Sequence, residues 1–494
     1  MEFFSQALPA LSEVFTWPGP IYLVLGSLLG MLFGVLPGLG GPQVIALLLP
    51  ITYGMKPSLA MVLIIGAMGA VPFGGSITAI LINTPGTGQS AATCFDGFPL
   101  ARQGKAQMAI AASATASCLG AIFGAAILTL ILPIGKEIVL SFSYPEYFML
   151  AVMGFSVISA VSGQSLWKGL LAACFGLLLA TIGYDPVTGA LRFTFGSEYL
   201  WDGIKIVPAF IGIFAVGEAL NLFLQRGKIA QIDYIRKGDG QILQGMKAIF
   251  RHFGLFIRSS IIGTIIGIIP GVGGATANFL AYGQAVQTSK DPENFGTGDI
   301  RGVIAPEAAN NAKDGGALVP TLLFGIPGGI ETAILLGALI VLGLEPGPRM
   351  MLDNPEVVLV MIYTLVASNI LVSTIGLFGT GPLCRITLFP TTLLAPVIFM
   401  LALVGAYATE GLMADMVVAI IFGLLGYAMN RFGFSRIPLV LALVLGRLAQ
   451  KTFHQTLLAW GPAGFFVRPI SLGLLIATVA MIAAPYWLAR RRRA

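Results

Sequence analysis

Four of the Pro-Gly steps in this chain sit where side-chain and backbone chemistry could handle ions. Around Pro85-Gly86 lie Ser76, Thr78, Asn83, Thr84, Thr87 and Gln89, hydroxyls and amides that both donate and accept hydrogen bonds. Toward Pro327-Gly328 runs Pro306-Glu307-Ala308-Ala309-Asn310-Asn311-Ala312-Lys313-Asp314, followed by Gly325-Ile326-Pro327-Gly328. Proline removes a donor and glycine relaxes the helix, so each step marks a helix break. Freed N–H groups at a half-helix N-terminus carry partial positive charge and suit carboxylates. Free carbonyls at the opposite ends suit Na⁺. We therefore expect Ser76, Thr78, Asn83, Thr84, Pro85, Gly86, Thr87, Gly325, Ile326, Pro327 and Gly328 to hold an anionic substrate. Pro37, Gly38, Gly40, Pro270, Gly271, Gly273, Asn310, Asn311 and Asp314 are expected to shape the breaks and hold a coupling cation. The 306–314 segment reads either as membrane-embedded, where ionisable residues are functional candidates, or as a solvated loop entering the break. The roles of Glu307, Lys313 and Glu331 stay open.

The elements that position these residues are apolar helices. Of 494 residues, 56% are hydrophobic and only 10% charged, where soluble domains carry about 25% charge; mean hydropathy is +0.89. This composition excludes a water-soluble globule and predicts a polytopic membrane protein, all-α, with about 10–12 transmembrane helices plus broken or re-entrant hairpins. The 63 glycines, far above the usual ~7%, call for more than lipid-facing helices.

The breaks come in pairs. Gly34-Val35-Leu36-Pro37-Gly38-Leu39-Gly40-Gly41 matches Gly267-Ile268-Ile269-Pro270-Gly271-Val272-Gly273-Gly274 at an offset of 233 residues. Asn83-Thr84-Pro85-Gly86 matches Gly325-Ile326-Pro327-Gly328 at an offset of 242. Weaker matches, Phe175-Gly176-Leu177-Leu178 with Phe422-Gly423-Leu424-Leu425 and Val207-Pro208 with Ile437-Pro438, follow at similar offsets. An isolated Pro-Gly reads as a kink or packing point; four in a duplicated pattern read as a site.

Eleven basic residues flank apolar segments, Arg226, Lys228, Arg236, Lys237, Lys247, Arg251 and Arg258 in one stretch and Arg490–Arg493 at the end. Placing both clusters in the cytoplasm and counting spans backward puts Arg102 inside and Arg349 outside. These are equivalent points, so the halves are expected to be inverted repeats, with an elevator-like mechanism. The division is 1–225 for the first repeat, 226–258 for a basic cytoplasmic linker, 259–450 for the second repeat and 451–494 for an extra helix and tail. The N-terminus is expected outside and the C-terminus in the cytoplasm.

The basic stretch lies beside membrane segments, which argues against nucleic acid as its partner; anionic lipid headgroups fit it. Enzymatic signatures are scarce. His252 and His454 lack metal-ligand partners, the four cysteines show no CxxC spacing, and no GxxxxGK[ST] loop is present. No enzyme activity, cofactor or bound metal is expected, apart from Na⁺ or H⁺ as coupling ion.

The segments Phe73-Gly74-Gly75-Ser76-Ile77-Thr78-Ala79-Ile80-Leu81-Ile82-Asn83-Thr84-Pro85-Gly86-Thr87 and Asp96-Gly97-Phe98-Pro99-Leu100-Ala101-Arg102-Gln103-Gly104-Lys105 resemble the TctA-type large membrane subunit of tripartite tricarboxylate transporters. So do 305–312, 325–328 and 343–348. The resemblance implies import of a di- or tricarboxylate such as citrate across a bacterial inner membrane, driven by a Na⁺ or H⁺ gradient. It also implies a small membrane subunit of the TctB type and a periplasmic binding protein of the TctC type; a homo-oligomer is a further possibility. Lys313, Asp314 and Glu331 depart from the family pattern, where small residues stand, and 67–72 lacks the tyrosines expected there. The alternatives are an ion or solute channel and a structural subunit of a larger complex.

Overall fold

Backbone polar groups in an apolar chain find partners within their own helices, and the described chain is helical almost throughout. The computed structural model describes residues 5–36, 39–83, 85–161, 166–185, 188–224, 241–270, 273–386, 391–476 and 478–479. Pro37, Gly38, Thr84, Gly271, most of the basic stretch and the Arg490–Arg493 tail lie outside those residues.

Helices α1 (Ala7–Phe15) and α2 (Gly19–Val35) form a bent pair at 69°, and α3 (Gly41–Leu48) follows the first break. Helix α4 (Pro57–Ile82) begins on a proline at its first turn, where a missing N–H costs nothing. It ends where Asn83 turns left-handed at φ 52°. Short α5 (Cys94–Arg102), long α6 (Ala106–Leu140), α7 (Tyr144–Val161) and α8 (Leu166–Ala180) come next. A small hairpin of β1 (Gly183–Tyr184) and β2 (Leu191–Arg192) leads into α9 (Ile206–Phe210), a π-helical stretch Ile211–Val216 and α10 (Gly217–Leu224).

Beyond the basic stretch, α11 (Gln241–Arg251) and α12 (Phe253–Ile268) form a second bent pair, at 75°. Helix α13 (Gly274–Gln287) follows the third break, and α14 (Arg301–Phe324) ends at Gly325 with φ 66°. Then come α15 (Ile330–Val341), α16 (Pro348–Asp353), α17 (Pro355–Ile386), α18 (Thr391–Glu410), α19 (Met413–Arg431), α20 (Ile437–Trp460) and α21 (Gly464–Val467).

This is an all-α polytopic membrane protein. Among the described residues α4, α6, α17 and α19 are long and apolar enough to cross a membrane, and the two bent pairs bring the number to six. Five shorter apolar helices accompany them. Among the described residues Pro-Gly breaks and bends divide several of the apolar runs into shorter helices.

Helix α2 packs along α4, and α12 along α14. Small residues make both contacts close: a Cβ on Gly26, Gly30 or Gly34 would collide with the carbonyls of Leu63, Ala67 and Val71. Likewise a Cβ on Gly263 or Gly267 would strike the carbonyls of Ala309 and Lys313. Gly34 and Gly267 are 233 residues apart, and their carbonyl partners Val71 and Lys313 are 242 apart. Both sequence offsets thus reappear in one pair of packed helices. Helices α7, α8, α19 and α20 with the π-helical stretch form a second group, and α3 and α15 lie between it and the first.

Candidate functional site

The four breaks open onto one cavity of about 350 Å³. Leu39–Gln43 line it from the first break, Pro85–Gln89 from the second, Gly273–Ala275 from the third, and Ile330 with Glu331 from the fourth. Each stretch arrives there because its helix stops. Asn83 and Gly325 cap α4 and α14 in the left-handed region, and a proline two residues on prevents either helix from resuming. Gly273, at φ 79°, makes the corresponding turn into α13, where a side chain would be strained.

A polar chain crosses the cavity wall. Lys313 Nζ lies 2.7 Å from Asp314 Oδ1 and donates to Gln89 Oε1 at 3.2 Å. Gln89 Nε2 donates to Glu331 Oε1 at 2.7 Å, and Asn278 Nδ2 donates to the Gln89 carbonyl. Residues from α13, α14, α15 and the turn after Pro85 are thereby tied together. One cation and two carboxylates face this region, so the wall carries an excess negative charge. A smaller void of about 10 Å³ beside it, lined by Met68, Lys313, Asp314, Gly328 and Thr332 among others, holds no more than a water-sized group.

The 306–314 segment is helical and buried, because every residue of α14 from Gly302 to Leu323 is buried; the solvated-loop alternative falls. Asn310 and Asn311 are fully buried. Asn311 Nδ2 donates to Asn369 Oδ1 at 2.6 Å, while both polar atoms of Asn310 and Asp314 Oδ2 have no hydrogen-bond partner among the described residues.

Other expected residues fall in different places. Pro85, Gly86, Thr87, Gly40 and Gly273 line the main cavity and Gly328 the smaller void. Asn83 is exposed and absent from both linings, its left-handed backbone serving as the helix cap. Thr78 is buried, its hydroxyl donating to the Gly75 carbonyl at 3.0 Å. The N–H groups of Gly325, Ile326 and Gly328 are engaged inside the turn by Thr321 O, Pro320 O and Thr321 Oγ1. They are not free for a ligand in this conformation, and Ile330 with Glu331 of α15 face the cavity instead. Pro327 is buried in the same turn and Pro270 beneath the third break.

Ser76 points away from the cavity, toward Glu307. Its hydroxyl donates to Glu307 Oε1 at 2.7 Å and Oε2 at 2.8 Å. Thr93 Oγ1 donates to Oε1, and Ser113 and Ser117 donate to Oε2 at 2.9 and 3.0 Å. The sequence leaves the role of Glu307 open and does not assemble its four hydroxyls. The spacing of Ser113 and Ser117, four apart on an alanine-rich helix, was the available signal.

Near the start of α14 a second buried acid, Asp96, binds the approach loop. Its Oδ1 accepts from the N–H groups of Gly296, Gly298 and Asp299 at 2.8–2.9 Å, and Tyr282 donates to Oδ2 at 2.9 Å. In that loop burial pushes the Asp299 carboxyl up, but the Arg301 guanidinium hydrogen-bonded to it outweighs this and holds it below its ordinary value.

Broken helices that converge on a cavity are a recurrent feature of helical membrane transporters. The sequence model described as the tripartite tricarboxylate transporter TctA family matches residues 21–441. The chain belongs to that family, a family of transporter subunits that work in tripartite systems. It is 36% identical over 469 residues to an uncharacterized 52.8 kDa protein in the TAR-I ttuC' 3' region of Agrobacterium vitis, covering 94% of this chain and 92% of that one. A second uncharacterized Agrobacterium vitis protein, in the TAR-II ttuC' 3' region, is 34% identical over 215 residues, covering 43% of this chain and 89% of that protein. No solved structure matches.

Proposed function

We propose that this chain is the carrier subunit that moves a di- or tricarboxylate across the bacterial inner membrane by alternating access, coupled to a cation gradient. The observation that carries the reading is the convergence of four helix breaks on one cavity. Its volume is in the range of small-molecule sites, about 300–1,000 Å³. The helix starts at Gly41, Gly274 and Ile330 present N-terminal amides toward an anion, and Lys313 supplies a positive charge. The excess of carboxylates on the wall opposes a multiply charged anion, so entry of the anion together with a cation fits the charge.

The family implies two partners, a small membrane subunit and a periplasmic binding protein that delivers the substrate; we propose both here. We further propose that the two halves are inverted repeats and that the first helix group moves against the second. Uptake of labelled citrate, tartrate or succinate into proteoliposomes holding all partners, under imposed Na⁺ or H⁺ gradients, tests the reading. Gradient-dependent, saturable uptake of one of them is expected. Uncoupled flux with large unitary currents would establish a channel instead.

A further inference from the structure

Glu307 lies on α14, two turns from the cavity, fully buried and reached by hydroxyls from three other parts of the chain. Ser76 comes from α4, Thr93 from the turn before α5, and Ser113 with Ser117 from α6. Among the described residues no lysine, arginine or histidine forms an ion pair with it. A buried carboxylate without a counter-charge is costly even when hydrogen-bonded, so the molecule gains by admitting a cation there. One turn along the same face of α14, three residues on, stands Asn310, whose buried carboxamide has no hydrogen-bond partner among the described residues.

We propose that Glu307, Ser76, Thr93, Ser113 and Ser117 form a Na⁺ site that couples cation entry to anion binding. Side-chain oxygens are the ligands of hard cations, and a single carboxylate matches a single positive charge. A bare proton would engage only the carboxylate, whereas five side chains here place oxygens around one point. Na⁺ uses the hydroxyl oxygens as well. The Ser76 hydroxyl has somewhere to send its hydrogen: its Oγ already lies 3.1 Å from the Pro72 carbonyl one turn back, the usual alternative acceptor of a helical serine. Turning the O–H outward leaves a lone pair facing the cation.

The site has a mechanical connection to the cavity. Thr93 lies four residues beyond Gln89, whose side chain joins Lys313 to Glu331 across the cavity wall. The Gly75 carbonyl, next to Ser76, accepts the N–H of Gly86, a cavity-lining residue, at 3.3 Å. Glu307 and Lys313 are six residues apart on one helix, about 9 Å along its axis. A cation drawing Ser76 and Thr93 against Glu307 therefore fixes both ends of the Pro85–Gln89 segment that receives the anion.

This inference rests on the carrier reading for its coupling role, yet Na⁺ binding is measurable without transport. Purified full-length protein, equilibrated with ²²Na⁺ alone, is expected to bind it saturably. Glu307→Gln should weaken binding at least tenfold, and the Ser113→Ala/Ser117→Ala double variant, which keeps the carboxylate, should weaken it severalfold. Each variant is checked for a monodisperse elution profile, and if Glu307→Gln does not fold the serine pair decides. Wild-type protein that takes up no ²²Na⁺, or variants that bind it as wild type does, would overturn the assignment, as would loss confined to Asp314→Asn. If ²²Na⁺ binds at Glu307 but no carboxylate is transported, the site stands and the carrier reading fails. Gradient-driven uptake with unaltered ²²Na⁺ binding in both variants gives the converse.

Discussion

At Glu331 and Asn310 the side chains set energetic costs that a purely structural protein has no reason to bear. Glu331 brings a second carboxylate to a wall that already holds Asp314, and its partner is neutral Gln89 rather than a cation. A unit charge about 5 Å from a bound carboxylate costs about 3 kcal/mol at an effective dielectric constant of about 20. Glu331→Gln keeps the shape and removes the charge, so the KM for carboxylate uptake should fall, by about three- to tenfold after solvent screening. A KM that rises or stays unchanged would place the anion away from Glu331. Asn310 presents the opposite test. A buried polar group without a partner costs about 1–3 kcal/mol, and neither of its polar atoms has one among the described residues. Asn310→Leu should leave the melting temperature equal or higher while uptake drops more than tenfold. Lower stability with uptake retained would make Asn310 a structural residue.

Among the elements, the paired helices α2–α4 and α12–α14 carry the site, and glycine sets their distance. Gly263 faces the Ala309 carbonyl with no room for a Cβ, whereas Gly283 on α13 has open space around its Cβ position. Gly263→Ala should therefore cost about 1–3 kcal/mol through forced separation of the helices, lowering the melting temperature by several degrees. Gly283→Ala should be neutral or slightly stabilising, since alanine favours helix. Equal effects at the two positions would show that helix propensity, not close approach, governs both. The helix breaks were legible in the sequence because Pro and Gly act locally, and the 233- and 242-residue offsets carry the helix pairing with them. The Glu307 cluster was not legible. Ser76, Thr93, Ser113, Ser117 and Glu307 come from four segments as far as 231 residues apart, and no local pattern says which hydroxyls will face one carboxylate. Nor could the Pro-Gly motif reveal that the amides of Gly325 and Ile326 would be spent inside their own turn.

For the molecule as a whole, the proposed inverted topology can be tested through the loops that share an end. Gln241 donates to the Gly104 carbonyl at 3.0 Å and Gln103 to the Thr297 carbonyl at 2.7 Å, gathering these loops at the start of α6. At the other end of α6, about 52 Å away for its 35 residues, Arg468 donates to Glu146 Oε1 at 2.6 Å and Arg349 acts electrostatically on Tyr147. Arg102 and Arg349, which the proposed inverted repeat would make equivalent, thus stand at opposite ends of one long helix. In a variant with Cys94, Cys118, Cys174 and Cys384 replaced by serine, we place single cysteines at Arg102, Thr188 and Arg349. A membrane-impermeant maleimide added to intact spheroplasts should label Thr188→Cys and Arg349→Cys, and should reach Arg102→Cys only after permeabilisation. The reverse pattern at all three would invert the orientation and leave the repeats antiparallel. Labelling of Arg102→Cys and Arg349→Cys from the same side would remove the inverted repeat itself. The alternating-access mechanism would then lose its symmetry argument, because two halves of like orientation give no reason for the cavity to open equally well to both sides.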